Sequence, residues 1–162
     1  MKTVILIPAH NVDKVVAEVI NNVESLGFPV IVVDDGSDDN TYESAKSTGA
    51  IVLRHEKNLG KGAALRAGFD YILNPSTGSG FDAVITMDSD GQHDPALLND
   101  FIKNAESNNS AFISGNRMHN TAAMPGIRVF TNRLTSWVLS KKIGQHVPDT
   151  QCGYRFIKRI YW

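Results

Sequence analysis

Short β-rich apolar runs recur along this chain, and most of them stop abruptly at a polar cluster. Val4-Ile-Leu-Ile7 ends at Pro8, Val30-Ile-Val-Val33 at Asp34-Asp35-Gly36-Ser37, Ala83 to Met87 at Asp88-Ser89-Asp90, and Ala111-Phe-Ile113 at Gly115-Asn116-Arg117. Ile51-Val-Leu53 is a further run. Between the runs, apolar residues follow helical spacing instead. Val15, Val16, Val19, Ile20, Val23 and Leu26 precede the stop at Gly27, and a short helix from about Thr41 to Thr48 precedes Gly49. Leu65, Phe69 and Ile72 mark the next helix. Asp94 and Pro95 cap another, with Leu97, Leu98, Phe101 and Ile102 expected inward. Near-continuous apolar strands alternating with helices require a mostly parallel sheet covered on both faces, an α/β architecture. In such sheets the ligand lies outside the carboxyl ends of the strands, so Pro8–Asn11, Asp34–Ser37, Asp88–Gln92 and Gly115–Arg117 are expected to converge on one edge. A loop from about Asn120 to Gly126, a helix from about Arg128 to Ile143, and a turn then strand over Asp149–Trp162 complete the pattern.

At 162 residues the chain suits one domain with a real core, and its apolar and charged fractions are those of a soluble globular protein. A net charge of −1 argues against a nucleic-acid binder. Cys152 is the only cysteine, which excludes an intramolecular disulfide and a cysteine-based zinc cluster and suits a reducing compartment. No window approaches the roughly 20 apolar residues of a membrane span. These features predict a cytoplasmic protein, compatible with peripheral contact at a membrane. The apolar end at Ile160-Tyr161-Trp162 would be costly to expose, which leaves room for an oligomer.

The chemistry concentrates after the fourth run. Asp88 and Asp90 stand two apart on an extended segment and so point the same way. Two adjacent anions call for a cation, and hard oxygen ligands suit Mg²⁺ or Mn²⁺ completed by substrate phosphates. Asp34 and Asp35 could accept hydrogen bonds from a base or ribose, whereas Asp38 to Thr41 read as helix-capping residues. Asn58-Leu59-Gly60-Lys61-Gly62 opens a helix, where the backbone can approach a phosphate and Lys61 can meet one. Both common phosphate-loop fingerprints fail here. Leu65 replaces the last small residue of a dinucleotide loop, and Gly62 replaces the hydroxyl residue of a Walker A loop. Arg117 directly follows a strand end and suits phosphate recognition, with Arg128 nearby, while Arg133 reads as a solvated residue. His10, His55, His93, His119 and His146 lack zinc-type spacing, although His10 and His93 fall on the expected binding edge.

Taken in order, Pro8-Ala-His-Asn11, Asp34 to Thr41, Asn58 to Ala63 with Gly68, Asp88 to Pro95, Gly115-Asn-Arg117 and Asp149-Thr-Gln-Cys-Gly-Tyr-Arg155 make the chain resemble family 2 glycosyltransferases of the GT-A fold. Within them it is most similar to the dolichol-phosphate mannosyltransferase and polyprenyl-phosphate glycosyltransferase branch. The resemblance implies a three-layer α/β/α, Rossmann-like domain over residues 1–162 and metal-dependent, inverting transfer of a sugar from a GDP- or UDP-sugar. The implied acceptor is a polyprenyl phosphate at a membrane surface. It implies nucleotide contacts from Pro8, Ala9, His10, Asn11, Asp34, Asp35, Gly60, Lys61, Asp88 and Ser89, and a divalent metal on Asp90 and Gln92. Asp88, Asp90 and Arg117 would carry the chemistry, Arg117 and Arg128 would receive the acceptor phosphate, and Asp149 is the candidate acceptor-side carboxylate. Val12 stands where the family commonly has Glu, and the chain closes soon after Arg155, short of its relatives. Two other readings stay open. One is a nucleotide-sugar-binding module without acceptor machinery. The other is a haloacid-dehalogenase-type phosphohydrolase with Asp88 as nucleophile, in which Gln92 occupies the place of an expected Thr or Ser.

Overall fold

The computed structural model describes residues 1–77, 80–116 and 126–159, apart from the side chain of Arg128. Arg117, the loop from Asn120 to Pro125 and the apolar end at Ile160–Trp162 lie outside the described residues. The strands are β1 (Thr3–Ala9), β2 (Val30–Asp34), β3 (Ile51–Arg54), β4 (Ala83–Thr86), β5 (Phe112–Ser114) and β6 (Arg155–Lys158). The helices are α1 (Val16–Ser25), α2 (Thr41–Lys46), α3 (Lys61–Leu73), α4 (Leu98–Ser107) and α5 (Gly126–Ile143). The strands form one sheet in the order β3-β2-β1-β4-β6-β5. β1 pairs parallel with both β2 and β4, and β2 with β3. β6 runs antiparallel to β4 and to β5, so it is the one reversed strand among those described. That reversal brings the segment just before Arg155 to the same edge as the carboxyl ends of β1, β2 and β4.

Every residue of β1, β2 and β4 is buried, as continuous apolar strands in a covered sheet must be. One face packs Ile5, Ile7, Val32 and Ile85 against Val16, Val19, Ile20 and Val23 of α1, Ala45 of α2 and Leu98 and Phe101 of α4. The other packs Val4, Leu6, Ile31, Val33 and Val84 against Ala64 and Ile72 of α3. The helix stands close because Gly68 faces Leu6: a Cβ there would sit 2.2 Å from Leu6 Cδ1. This is the expected layered α/β arrangement. Leu97 is a correction to the expected inward set, being exposed in a single 3₁₀ turn (Pro95–Leu97) that precedes α4. The cap of that turn is as expected: Asp94 Oδ1 accepts the Ala96 N–H at 2.9 Å, with Pro95 in the first position.

Candidate active site

A cavity of about 300 Å³ opens at the carboxyl ends of the parallel strands. Pro8, Ala9 and His10 contribute one wall, Asp35 another, Asn58, Gly60 and Lys61 a third, and Asp88, Ser89 and Asp90 the fourth. Such a volume lies at the lower end of the range, about 300–1,000 Å³, usual for small-molecule sites. The walls come from loops far apart in sequence, and hydrogen bonds lock them together. Asn11, at φ 53, donates its N–H to Ser37 Oγ at 3.0 Å and accepts the Asp38 N–H on Oδ1 at 3.0 Å. Left-handed backbone is tolerated by asparagine, so this residue ties the β1 loop to the β2 loop.

Asp35 secures the third wall. Its carboxylate accepts from His55 Nδ1 at 2.7 Å, the Leu59 N–H at 3.0 Å and the Gly60 N–H at 2.7 Å. Burial opposes its ionisation, but these hydrogen bonds outweigh it and hold the carboxyl below the usual carboxylate range. Asn58 Oδ1 accepts the Gly60 N–H at 2.9 Å, so its amide nitrogen is the atom that meets His10 Nε2 at 2.9 Å. That network assigns the His10 proton to Nδ1, a buried atom without a hydrogen-bond partner among the described residues.

Asp88 is the electrostatic centre of the cavity. Lys61, in the first turn of α3, pairs with Oδ1, and His93 Nε2 lies 3.3 Å from Oδ2. Burial again favours the neutral acid, yet the His93 and Lys61 hydrogen bonds and charges prevail and hold Asp88 well below the ordinary carboxylate range. His93 is itself buried, with its ring 4.8 Å from that of Tyr154. Gly153 closes the back of the site. A Cβ there would stand 2.3 Å from Asp88 Oδ1, and its carbonyl accepts the Thr86 hydroxyl at 2.7 Å. Asp90 is exposed on the cavity rim, its Oδ1 accepting the Gln92 N–H at 3.0 Å.

Most of the expected site residues therefore meet. Pro8, Ala9, His10, Asp35, Gly60, Lys61, Asp88, Ser89 and Asp90 share one cavity. Asn11 braces it without being one of its lining residues, and Gln92 is exposed beside Asp90. Asp34 does not line the cavity. It is fully buried beneath the site, bonding the Ser37 N–H at 3.1 Å and lying 3.1 Å from Arg54 Nε, because the side chains of β2 are enclosed between layers. Asp149 is buried as well, its Oδ1 held by Asn132 Nδ2 at 2.7 Å and the Gln151 N–H at 3.0 Å, which removes it from the open cavity. Asn58, His93 and Gly153 were missed as site residues. All three stand inside the family motifs and His93 falls on the expected binding edge, but its contact with Asp88 has no local signal.

Residues 4–160 match the model of the family described as "Glycosyl transferase family 2". The chain belongs to glycosyl transferase family 2. It is 30% identical over 172 residues to the UDP-N-acetylglucosamine–dolichyl-phosphate N-acetylglucosaminyltransferase of Methanococcus voltae, covering 93% of this chain and 67% of the relative. It is 27% identical over 190 residues to the dolichol-phosphate mannosyltransferase of Pyrococcus furiosus, covering 99% of this chain and 52% of the relative. The glucosyl-3-phosphoglycerate synthase of Mycobacterium tuberculosis, solved with Mn²⁺, uridine diphosphate and phosphoglyceric acid, superposes with a TM-score of 0.74 at 21% identity, over 98% of this chain and 56% of that one. That likeness shows the fold, the GT-A arrangement expected of family 2. The chain spans between about half and two thirds of the length of these relatives.

Proposed function

We propose that this family 2 domain transfers a sugar from a uridine diphosphate sugar to a polyprenyl phosphate, with a divalent metal on the donor diphosphate. The observation that carries it is the Asp88-Ser89-Asp90 segment on the wall of the cavity, facing Lys61 and the loop ends of β1 and β2. The uridine donor rests on the name of the Methanococcus relative and on the nucleotide held by the mycobacterial neighbour. The lipid phosphate rests on the two dolichyl-phosphate relatives.

The residues fit a metal of this kind. Among the described residues no three His, Cys, Asp or Glu side chains converge into a ready cage. A Mg²⁺ or Mn²⁺ that takes one or two protein oxygens and completes its shell from phosphates and water needs no such cage. Asp90 and Gln92 are the residues to hold it. Bound there, the cation would supply Lewis acidity to the departing nucleoside diphosphate. Asp88, kept ionised by Lys61 and His93, adds negative charge near the metal, and Lys61 is free to turn from Asp88 to a phosphate. His10, on the cavity wall, is placed to meet the base or ribose. A phosphate acceptor is already an anion, so no general base is required, and positioning by Arg117 and Arg128 suffices. Asp149 then serves as a positioning residue for the loop before β6.

Thermal unfolding with nucleoside diphosphates, with and without Mn²⁺, tests this reading. Uridine diphosphate with Mn²⁺ is expected to raise the midpoint by several degrees, guanosine diphosphate less, and Asp90→Ala to abolish the metal-dependent part. Equal responses to every nucleotide, indifferent to metal, would overturn it.

A further inference from the structure

Among the described residues Asp88 has two basic partners, and they are held very differently. Lys61 reaches Oδ1 on a side chain that is 52% exposed. It is a point charge on a flexible stem, and an exposed ion pair of that kind exchanges readily for another anion. His93 stands on the other oxygen, its Nε2 3.3 Å from Oδ2, and its side chain is only 6% exposed. Contact with a carboxylate oxygen puts a proton on Nε2, so the ring donates there. The imidazole is packed on Tyr154, whose ring lies 4.8 Å away. Tyr154 is buried in turn: its ring packs at 4.7 Å on Phe101 of α4, and its hydroxyl donates to the Asp94 carbonyl at 3.2 Å. One tyrosine therefore holds both the ring of His93 and the backbone that follows it.

Tyr154 lies in the segment that returns to the site before β6, next to Gly153, which abuts Asp88. That segment reaches Asp88 twice, directly at Gly153 and through His93 from Tyr154. A donor diphosphate carries more charge than a carboxylate and competes with Asp88 for Lys61. Once Lys61 turns to it, His93 is the basic partner left on Asp88 among the described residues. We propose that His93 is the positioning residue that holds Asp88 in the donor-loaded site, with Tyr154 fixing His93 in place. Neither residue is among those lining the cavity, so the role is exerted through Asp88. This deepens the donor reading and rests on it for what draws Lys61 away. It also makes donor affinity depend on the segment before β6.

Proton NMR of the full chain reads the His93 contact without any ligand. A buried ring N–H facing a carboxylate gives a slowly exchanging signal far downfield of the amides, and His93→Gln identifies it by its loss. The signal is expected in the free protein, to weaken or vanish in Tyr154→Leu, and to persist when uridine diphosphate is added with diamagnetic Mg²⁺. Calorimetric titration with the same nucleotide and metal gives the second readout. His93→Leu is expected to lower affinity about tenfold and Tyr154→Leu about threefold or more. His93→Gln, whose amide donates from close to the place of Nε2, should recover most of that loss. Tyr154→Phe keeps the ring and loses only the hydroxyl, so it should stay within about twofold of wild type. A residue that served packing alone would reverse the order at position 93, because Leu suits a buried space better than Gln. Circular dichroism verifies folding, and the two conservative variants keep the test open if either Leu variant fails to fold. Absence of the signal from the free protein, its loss on adding nucleotide, or His93→Gln binding no better than His93→Leu would overturn the proposal. A wild type that shows the signal but binds no uridine diphosphate removes the donor reading, and the loaded-state role with it, while leaving the contact between His93 and Asp88 established.

Discussion

Asp35 and Asp88 look alike in the sequence, each following an apolar run, but their side chains do different work. Asp35 is consumed by the scaffold, holding His55 and the N–H groups of Leu59 and Gly60. Asp35→Asn keeps the shape but loses the charge-assisted acceptor, and is expected to cost about 1–3 kcal/mol in urea unfolding at neutral pH. Its folded-state pKa is lowered below the unfolded value of about 3.9, so the stabilisation is complete above that value and disappears as pH falls through the folded-state value. The gap between wild type and variant should therefore close over that acid window; a gap that stays constant would deny the ionised carboxylate this role. Asp88, on another wall of the same cavity, is instead positioned by what surrounds it. Gly153→Ala would drive a methyl group to 2.3 Å from its Oδ1. The expected result is a folded protein whose affinity for uridine diphosphate with Mn²⁺ falls about tenfold, roughly 1.4 kcal/mol, in calorimetric titration. Unchanged affinity would show that Asp88 can move without consequence.

At the scale of elements, most pieces stand where periodicity puts them, with ends shifted by a residue or two. The exceptions are physical. Leu97 obeys the helical pattern in sequence but sits in a 3₁₀ turn, whose tighter pitch rotates it to solvent. The large apolar residues of α5 face outward, because Asn132 and Ser136 on its inner face are held by polar partners in the loop before β6. Asn132 is thus the hinge-pin of that helix. Asn132→Ala is expected to raise amide exchange in α5 and in residues 149–154 together, leaving β1, β2 and β4 protected. Exchange that rises everywhere would mean that α5 supports the whole sheet, and exchange that rises nowhere would mean the Asn132–Asp149 bond is dispensable.

For the whole molecule, the order β3-β2-β1-β4-β6-β5 is what creates the site. Neighbouring β1, β2 and β4 place three loop ends around one cavity, and reversed β6 returns the 149–154 segment to the same edge. A ligand there touches walls from several elements and stabilises them jointly. Uridine diphosphate with Mn²⁺ at a hundred times its Kd should add about 2.7 kcal/mol to urea unfolding at unchanged m. A changed m would indicate that the ligand reshapes the fold instead of binding one already formed.

Alternation of apolar runs with helical spacing determined the α/β class, and the carboxyl-end rule placed Pro8, Asp35, Asp88 and Asp90 on one edge. Both are local signals: residue volume, backbone preference and the direction a strand must take. The tertiary structure alone decided which of the paired aspartates would face the cavity, that His93 and Gly153 would meet Asp88, and that β6 would run backwards. Those outcomes depend on distances between segments remote in sequence, where burial and charge are settled by neighbours that no local pattern specifies.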